Sequence, residues 1–142
     1  MLSLGCILGV YLSLYIALFM PMSFLPASDT GLRLGPFAVG CIVSAYPAAT
    51  VLATPVPPRC IGLLGIRNTI VLGLALTALA MATFGSLPSV LAEDAGLAAG
   101  LVACRALGGF GAALAEAASL TAISSGWEDE LDSALSSVEG VT

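Results

Sequence analysis

The sequence predicts an all-α membrane protein, a polytopic transmembrane helix bundle. Only 9% of the 142 residues are charged and 58% are hydrophobic, whereas a soluble domain has about 25% charged residues. A soluble protein of this composition would have too few charged residues to form a hydrated surface. A helix needs about 20 apolar residues to cross a bilayer, so the length accommodates four spans, short loops and a remnant.

Four long apolar runs supply these spans. The predicted helices are 2–26, 34–57, 69–92 and 96–125, and a weakly polar run predicts the start of a fifth from 133. The first run lacks the basic segment of a signal peptide and is too long for one. We therefore expect residues 1–142 to form a single, partial transmembrane domain, a fragment of a longer chain.

The linker 59–68 predicts the orientation in the membrane. It carries Arg59 and Arg67, two of the four basic residues, and no acidic residue. Because short loops rich in arginine and lysine stay cytoplasmic, the linker and, by alternation, the N-terminus are predicted to be cytoplasmic. Loop 27–33 and the turn at Glu93 and Asp94 then lie on the opposite side. A plasma membrane and an intracellular vesicle membrane fit equally well.

The fourth predicted helix holds the two charges that a membrane penalises most, Arg105 and Glu116. A charge at the bilayer centre costs about 2.5–3.5 kcal/mol or more. The spacing of eleven residues amounts to about three turns plus 20° and about 16 Å of axial rise. Both side chains therefore lie on one stripe, too far apart to pair. We predict a polar pathway; the alternative is a structural ion pair or a backbone-bonded arginine without a transport role.

Small and aromatic residues predict how the helices pack. Gly108, Gly109 and Gly111 would let a neighbouring helix approach closely, although the same glycines also suit a merely flexible helix. The first helix carries an aromatic stripe that is predicted to face its neighbours, formed by Tyr11, Tyr15, Phe19 and Met22.

Several classes of function are disfavoured by composition. The chain has no histidine, which removes histidine triads and imidazole metal sites, and the acidic run 126–132 lacks the ligand spacing of a calcium loop. We expect no metal and no cofactor. The net charge of −5 argues against a nucleic-acid partner. No nucleophile–base pair or phosphate-binding loop predicts an enzyme.

The arginine of the fourth helix also begins a family motif. Arg105, Gly109 and Gly111 stand in the pattern R-x-x-x-G-x-G, which resembles the fourth helix of a major facilitator superfamily transporter. The alternation of spans and the basic linker after the second span resemble the first half of that family. In the family's loop motif, G-x-x-x-D-R-x-G-R-K, Gly65 and Arg67 align.

The loop motif is incomplete, and the likeness narrows to one branch of the family. Pro58 and Gly62 occupy the positions of the motif's first glycine and aspartate. The segments ALFMPMSFLP, LGPFAVGCIVSAYPAATVLATP and SSVEG resemble vesicular amine and polyamine transporters. Monoamine members of that branch carry an aspartate in the first helix, and this first span has none. A polyamine-like or unrelated organic solute therefore stays open.

The resemblance implies transport rather than chemistry on the substrate. It implies twelve helices in two halves around a midplane cavity, working by alternating access in the lipid bilayer. The cargo would be a small organic solute, with a cationic amine as one candidate, coupled to protons or ions. Arg105 would organise charges or meet an anionic group. Glu116 and Glu139 would be carboxylates whose protonation is coupled to transport.

Two other functions stay open. A self-contained four-helix membrane protein would be a small dimeric exporter, although such exporters depend on a carboxylate in the first span. A non-transporting scaffold would use Arg105 for folding or partner binding.

Overall fold

The computed structural model describes the backbone of residues 4–90 and 94–139, and the side chains of residues 5, 7–89 and 94–125. Within these residues the chain is helical, without a strand. A 3-10 turn at Leu25–Ala27 joins the first two helices. The helices are α1 (Leu4–Phe24), α2 (Asp29–Ala53), α3 (Pro57–Leu64), α4 (Ile66–Val90) and α5 (Asp94–Glu139).

Four of these helices, α1, α2, α4 and α5, are long and apolar enough to cross a membrane. This confirms the predicted fold class, and the chain has the architecture of a multi-pass membrane protein. Each of the four overlaps one of the predicted spans. A helical structure is expected in a membrane. The bilayer offers no hydrogen-bond partner to backbone N–H and C=O groups, and a helix satisfies them internally.

Helix α5 forms the centre of the bundle. Half of its apolar span is buried, compared with 17–22% in the other three spans. Helices α2 and α4 pack along it extensively, and α1 touches it more sparingly. The buried side chains of α5 are small, among them Ala112, Ala115 and Ala118. Small side chains suit this position because helix association in lipid depends on close packing.

The aromatic stripe of α1 faces the neighbouring helices only in part, because Tyr11 and Tyr15 line a cavity that α1 forms with α2 and α5. Tyr15 and Phe19 are each 55% exposed, and their rings stack on each other with centroids 6.1 Å apart. Helical periodicity cannot tell two faces apart when both are apolar, and the shorter side chains face the bundle. The buried positions of α1 include Ile7, Val10, Leu14 and Ala17.

Two segments predicted as loops are helical. In the predicted loop 27–33, residues 29–33 belong to the start of α2. The Ser28 hydroxyl accepts a hydrogen bond from the Gly31 N–H at 3.1 Å and so caps the helix. Linker 59–68 contains most of α3 and the start of α4. Hydropathy marks only the long apolar spans, so the short helical pieces at the ends of these spans were not predicted.

Gly35 and Gly65 separate the short helical pieces from the long spans. Their backbone angles nearly coincide, with φ of 81° and 80° and ψ of 163° and 162°. This conformation is essentially restricted to glycine. Gly35 precedes Pro36, which disfavours helical backbone at the preceding residue and suits the first turn of the helix that follows.

Helix α5 continues beyond the predicted end of the fourth helix at 125 and the predicted start of a fifth at 133. Residues 94–139 contain no proline, and the single Gly126 between these points costs only about 1 kcal/mol in a helix interior. The helix therefore runs for 46 residues. Glu139 is its last residue, and the Glu139 side chain lies outside the described part.

Candidate functional site

Arg105 lies inside the bundle with only 1% of its surface exposed. Its Nη1 donates to the carbonyl oxygen of Ala17 at 2.9 Å, and its Nη2 donates to that of Leu18 at 3.3 Å. Both acceptors belong to α1. The guanidinium carbon lies 4.6 Å from the centroid of the Tyr46 ring in α2, within the range of a cation–π contact. Arg105 therefore connects three helices.

The proline of α1 explains why the carbonyl group of Ala17 can accept a hydrogen bond from Arg105. In an α-helix the carbonyl of residue 17 pairs with the N–H of residue 21. Pro21 has no N–H, and its ring pushes the carbonyl group of Ala17 away. Arg105 therefore donates to a carbonyl that α1 itself cannot satisfy. A proline four residues after a carbonyl in an apolar span is the sequence signal that would have located this acceptor.

The immediate partners of Arg105 are thus backbone groups and an aromatic ring. No carboxylate forms an ion pair with it among the described side chains. Its Nε is buried without a hydrogen-bond partner. This geometry matches the backbone-bonded arginine that the sequence offered as the alternative to a pathway arginine.

Glu116 lies farther along α5, beside a cavity of about 290 Å³ between α1, α2 and α5. Its carboxylate makes no hydrogen bond or ion pair with any described residue. Such an unpaired carboxylate inside an apolar bundle is costly unless it meets a proton, a cation or water. Oxygen-bearing side chains gather around this cavity, and they are Tyr11, Tyr15, Tyr46, Thr50 and Glu116.

Tyr46 is the residue that sequence reasoning missed. It is 5% exposed, its ring contacts the guanidinium of Arg105, and it also lines the cavity at Glu116. One side chain therefore touches both parts of the site. In the sequence Tyr46 is only a tyrosine within an uncharged span. Such a residue equally fits a role in helix packing, so the sequence did not mark it as part of a site.

The glycines after Arg105 lie at the closest contacts of α5. A Cβ atom built on Gly109 would collide with the carbonyl oxygen of Tyr46 in α2. One on Gly111 would lie 2.7 Å from the carbonyl oxygen of Gly73 in α4. A Cβ on Gly108 would be 3.4 Å from the nearest atom, an ordinary contact. Gly109 and Gly111 are therefore the positions where α2 and α4 leave no room for a side chain.

The loop-motif residues do not join this site. Gly65 lies at the junction of α3 and α4, and Arg67 is exposed in the first turn of α4. Tyr46 contacts Arg105 and lines the cavity at Glu116, whereas Gly65 and Arg67 lie at the end of the bundle.

A second, larger cavity of about 720 Å³ separates α1 from α4. Its lining is almost wholly apolar, with Met20, Met81 and Phe84 among the larger side chains. No charged residue lines it among the described positions. The two cavities therefore differ in chemistry, and only the smaller one contains an ionisable carboxylate.

Searches against protein-family models, curated proteins and solved structures find no match to this chain. The function is therefore inferred from the chemistry of the bundle itself. Its informative parts are the backbone-bonded Arg105 and the cavity at Glu116.

Proposed function

We propose that this bundle belongs to a secondary transporter that moves a small organic solute across a membrane, coupled to a proton or an ion. The observation that carries the proposal is the Glu116 carboxylate, which faces a cavity in a membrane-type bundle and has no partner among the described residues. A charge without a partner at membrane depth is costly. Such a group gains stability when a proton or a cation arrives, and this is the exchange that coupled transport requires.

The surroundings of Glu116 favour a cationic ligand over an anionic one. Three tyrosines line the same cavity, and they are Tyr11, Tyr15 and Tyr46. Aromatic faces attract ammonium groups, and the carboxylate supplies the opposite charge. A cationic amine is therefore the candidate solute. The chain would bind and release it, with no bond made or broken.

Arg105 has a different role in this proposal. Both of its Nη groups already donate hydrogen bonds to carbonyl oxygens of α1, so Arg105 links α5 to α1. The motif of Arg105, Gly109 and Gly111 supports a place for the bundle in an alternating-access transporter of the major facilitator type. A second bundle would then complete the pathway. The exposed Arg59 and Arg67 support a cytoplasmic N-terminus in a plasma or vesicle membrane.

A non-transporting scaffold is the second candidate, favoured by one observation. Arg105 bonds to backbone carbonyls, which is also what a purely structural arginine would do. A scaffold would need no free carboxylate at Glu116. It predicts that Glu116→Gln, which removes the charge and keeps the shape, changes nothing measurable.

An uptake assay separates the two candidates. The protein, expressed from the natural transcript, is reconstituted into liposomes, and the uptake of radiolabelled spermidine is followed under an inside-acid pH gradient. We expect uptake above that of protein-free liposomes and its loss in Glu116→Gln. The matched control is Asp29→Asn, which removes an exposed carboxylate outside the cavity and should leave uptake unchanged. Uptake equal to the protein-free level, or insensitive to Glu116→Gln, contradicts the proposal.

A further inference from the structure

The larger cavity, between α1 and α4, is a long and narrow slot. Its lining on α4 runs from Leu74 to Pro88, a distance of about 21 Å along the helix axis. On α1 it runs from Ser13 to Phe24. A volume of about 720 Å³ over this length gives a mean cross-section of about 34 Å². An α-helix 10 Å across occupies about 80 Å², so the slot is too narrow for a further helix and suits a single hydrocarbon chain.

The slot is apolar along its length and polar at one end. Four of its lining residues carry a hydroxyl group, and they are Ser13, Ser28, Thr30 and Thr77. The hydroxyl groups of Ser13, Ser28 and Thr77 each donate to a backbone carbonyl oxygen at 2.7–2.9 Å. The Thr30 hydroxyl makes no hydrogen bond with a described residue. Thr30 lies where α1 passes into α2, so the uncommitted polar group of the slot is at that end.

The charges near Thr30 favour a ligand without net charge. Arg33, one turn farther along α2, is the basic residue at this end among the described residues, and its Nη2 lies 2.6 Å from the Asp94 carboxylate. An anionic headgroup would therefore meet a cation whose charge is already balanced. A zwitterionic headgroup adds no net charge, and its ester and phosphate oxygens accept hydrogen bonds of the kind that the Thr30 hydroxyl donates.

We infer that the slot binds one acyl chain of a zwitterionic phospholipid from the bilayer, with the headgroup beside Thr30. Met20 and Met81 line the two walls, and such flexible thioether side chains adapt to an apolar ligand. Met20 is 68% exposed, so the described chain does not cover this wall. Water would find few free partners there, because three of the four hydroxyl groups are already bonded. The inference does not depend on Glu116.

Photolabelling locates the acyl chain. The full chain in detergent micelles receives a trace of phosphatidylcholine that carries a diazirine on one acyl chain, either at the methyl terminus or near the ester. Adducts formed on illumination are mapped by peptide mass spectrometry. We expect the terminal diazirine to label the deep end of the slot, at Leu14 and Leu74. The diazirine near the ester should label the other end, at Phe24 and Pro88.

Two alanines of α4 provide a matched pair of variants. Both Ala75 and Ala78 are exposed, but only Ala78 lines the slot. Ala78→Phe should fill the slot and remove the adducts from both of its ends. Ala75→Phe adds the same ring to the same helix and should keep them. The comparison of the two probes uses the original chain, so it decides the question even if Ala78→Phe does not fold.

Competition by unlabelled lipid tests the headgroup. An excess of phosphatidylcholine should remove the slot adducts, and the same excess of anionic phosphatidylglycerol should leave them in place. Equal competition by the two lipids would refute the zwitterionic headgroup.

Three results would overturn the site itself. One is labelling of exposed positions elsewhere, such as Phe37 and Leu52 of α2, as heavy as that of the slot, which would show contact with bulk lipid only. Another is the same labelled residues for both probes, or their reversed order. The third is survival of the slot adducts in a folded Ala78→Phe variant. None of these results bears on Glu116, so the proposed function is tested separately.

Discussion

At the scale of single residues, Arg105 and Pro21 form a complementary pair on different helices. Pro21 leaves the carbonyl of Ala17 without its usual N–H, and Arg105 supplies the donor from α5 at 2.9 Å. A hydrogen bond from a charged group contributes about 1.5–3 kcal/mol to stability. The proline and the arginine, each unfavourable in an apolar helix alone, are favourable together.

A double-mutant cycle tests this pairing. Arg105→Lys should lower the free energy of unfolding by about 1.5–3 kcal/mol, because one ammonium cannot serve both carbonyls with the fork geometry of a guanidinium. Pro21→Ala restores the N–H of residue 21, which then competes for the carbonyl of Ala17. The cost of Arg105→Lys should therefore be smaller by about 0.5 kcal/mol or more in the Pro21→Ala background.

Denaturant unfolding in detergent micelles measures all four corners of the cycle. Arg59→Lys is the control, since Arg59 is exposed and such surface changes stay within about 0.5 kcal/mol. Strictly additive effects of the two substitutions would show that Pro21 and Arg105 do not act through a shared carbonyl.

At the scale of elements, α5 is held by contacts in which backbone meets backbone. Gly109 faces the carbonyl of Tyr46, and Gly111 faces the carbonyl of Gly73. The hydroxyl groups of Thr50 and Thr77 lie 3.1 and 3.3 Å from carbonyl oxygens of α5. The close approach of α2 and α4 therefore depends on positions that have no side chain.

A pair of glycine substitutions on the same helix tests this dependence. Gly109→Ala should destabilise the bundle by about 1–3 kcal/mol, because the added methyl meets a rigid carbonyl group and α2 must move. Gly96→Ala should be neutral or stabilising by about 0.5–1 kcal/mol, since nothing lies within 4 Å of the added atom. Unfolding midpoints of both variants provide the measurement, and equal effects would rule out the steric explanation.

At the scale of the whole molecule, four of the five helices follow from hydropathy because the membrane imposes length and apolarity on each span. The structural features that the membrane does not impose were not predicted. Ser28 begins α2 by capping its first turn, and Gly65 ends α3 through a backbone conformation without a hydropathy signal. Arg105 and Glu116 were predicted as site residues because charge in an apolar span is costly. Tyr46 was not, since a buried tyrosine in such a span resembles any packing residue.

The two ends of the bundle differ in charge, and this predicts the orientation. Arg33 and Asp94 pair at 2.6 Å and so place the start of α2 and the start of α5 at one end. Both side chains are 58% exposed, so the pair contributes at most about 1 kcal/mol. Arg59 and Arg67 mark the other end, which we expect to be cytoplasmic.

Labelling of introduced thiols tests the orientation. In a cysteine-free background, Leu32→Cys lies near Arg33 and Leu63→Cys lies in α3, and both leucines are exposed, at 71% and 85%. An impermeant maleimide added to sealed right-side-out membrane vesicles should label Leu32→Cys and spare Leu63→Cys until the vesicles are opened. The reverse pattern would place the N-terminus outside the cytoplasm.

The central claim is that Glu116 serves transport while Arg105 serves the architecture. The most direct test measures the initial spermidine uptake per folded molecule beside the free energy of unfolding. Glu116→Gln should abolish uptake and leave the unfolding free energy within about 0.5 kcal/mol of the original, whereas Arg105→Lys should lower stability and retain uptake in the molecules that remain folded. Uptake that survives Glu116→Gln, or that Arg105→Lys abolishes in a fully folded protein, would contradict the account.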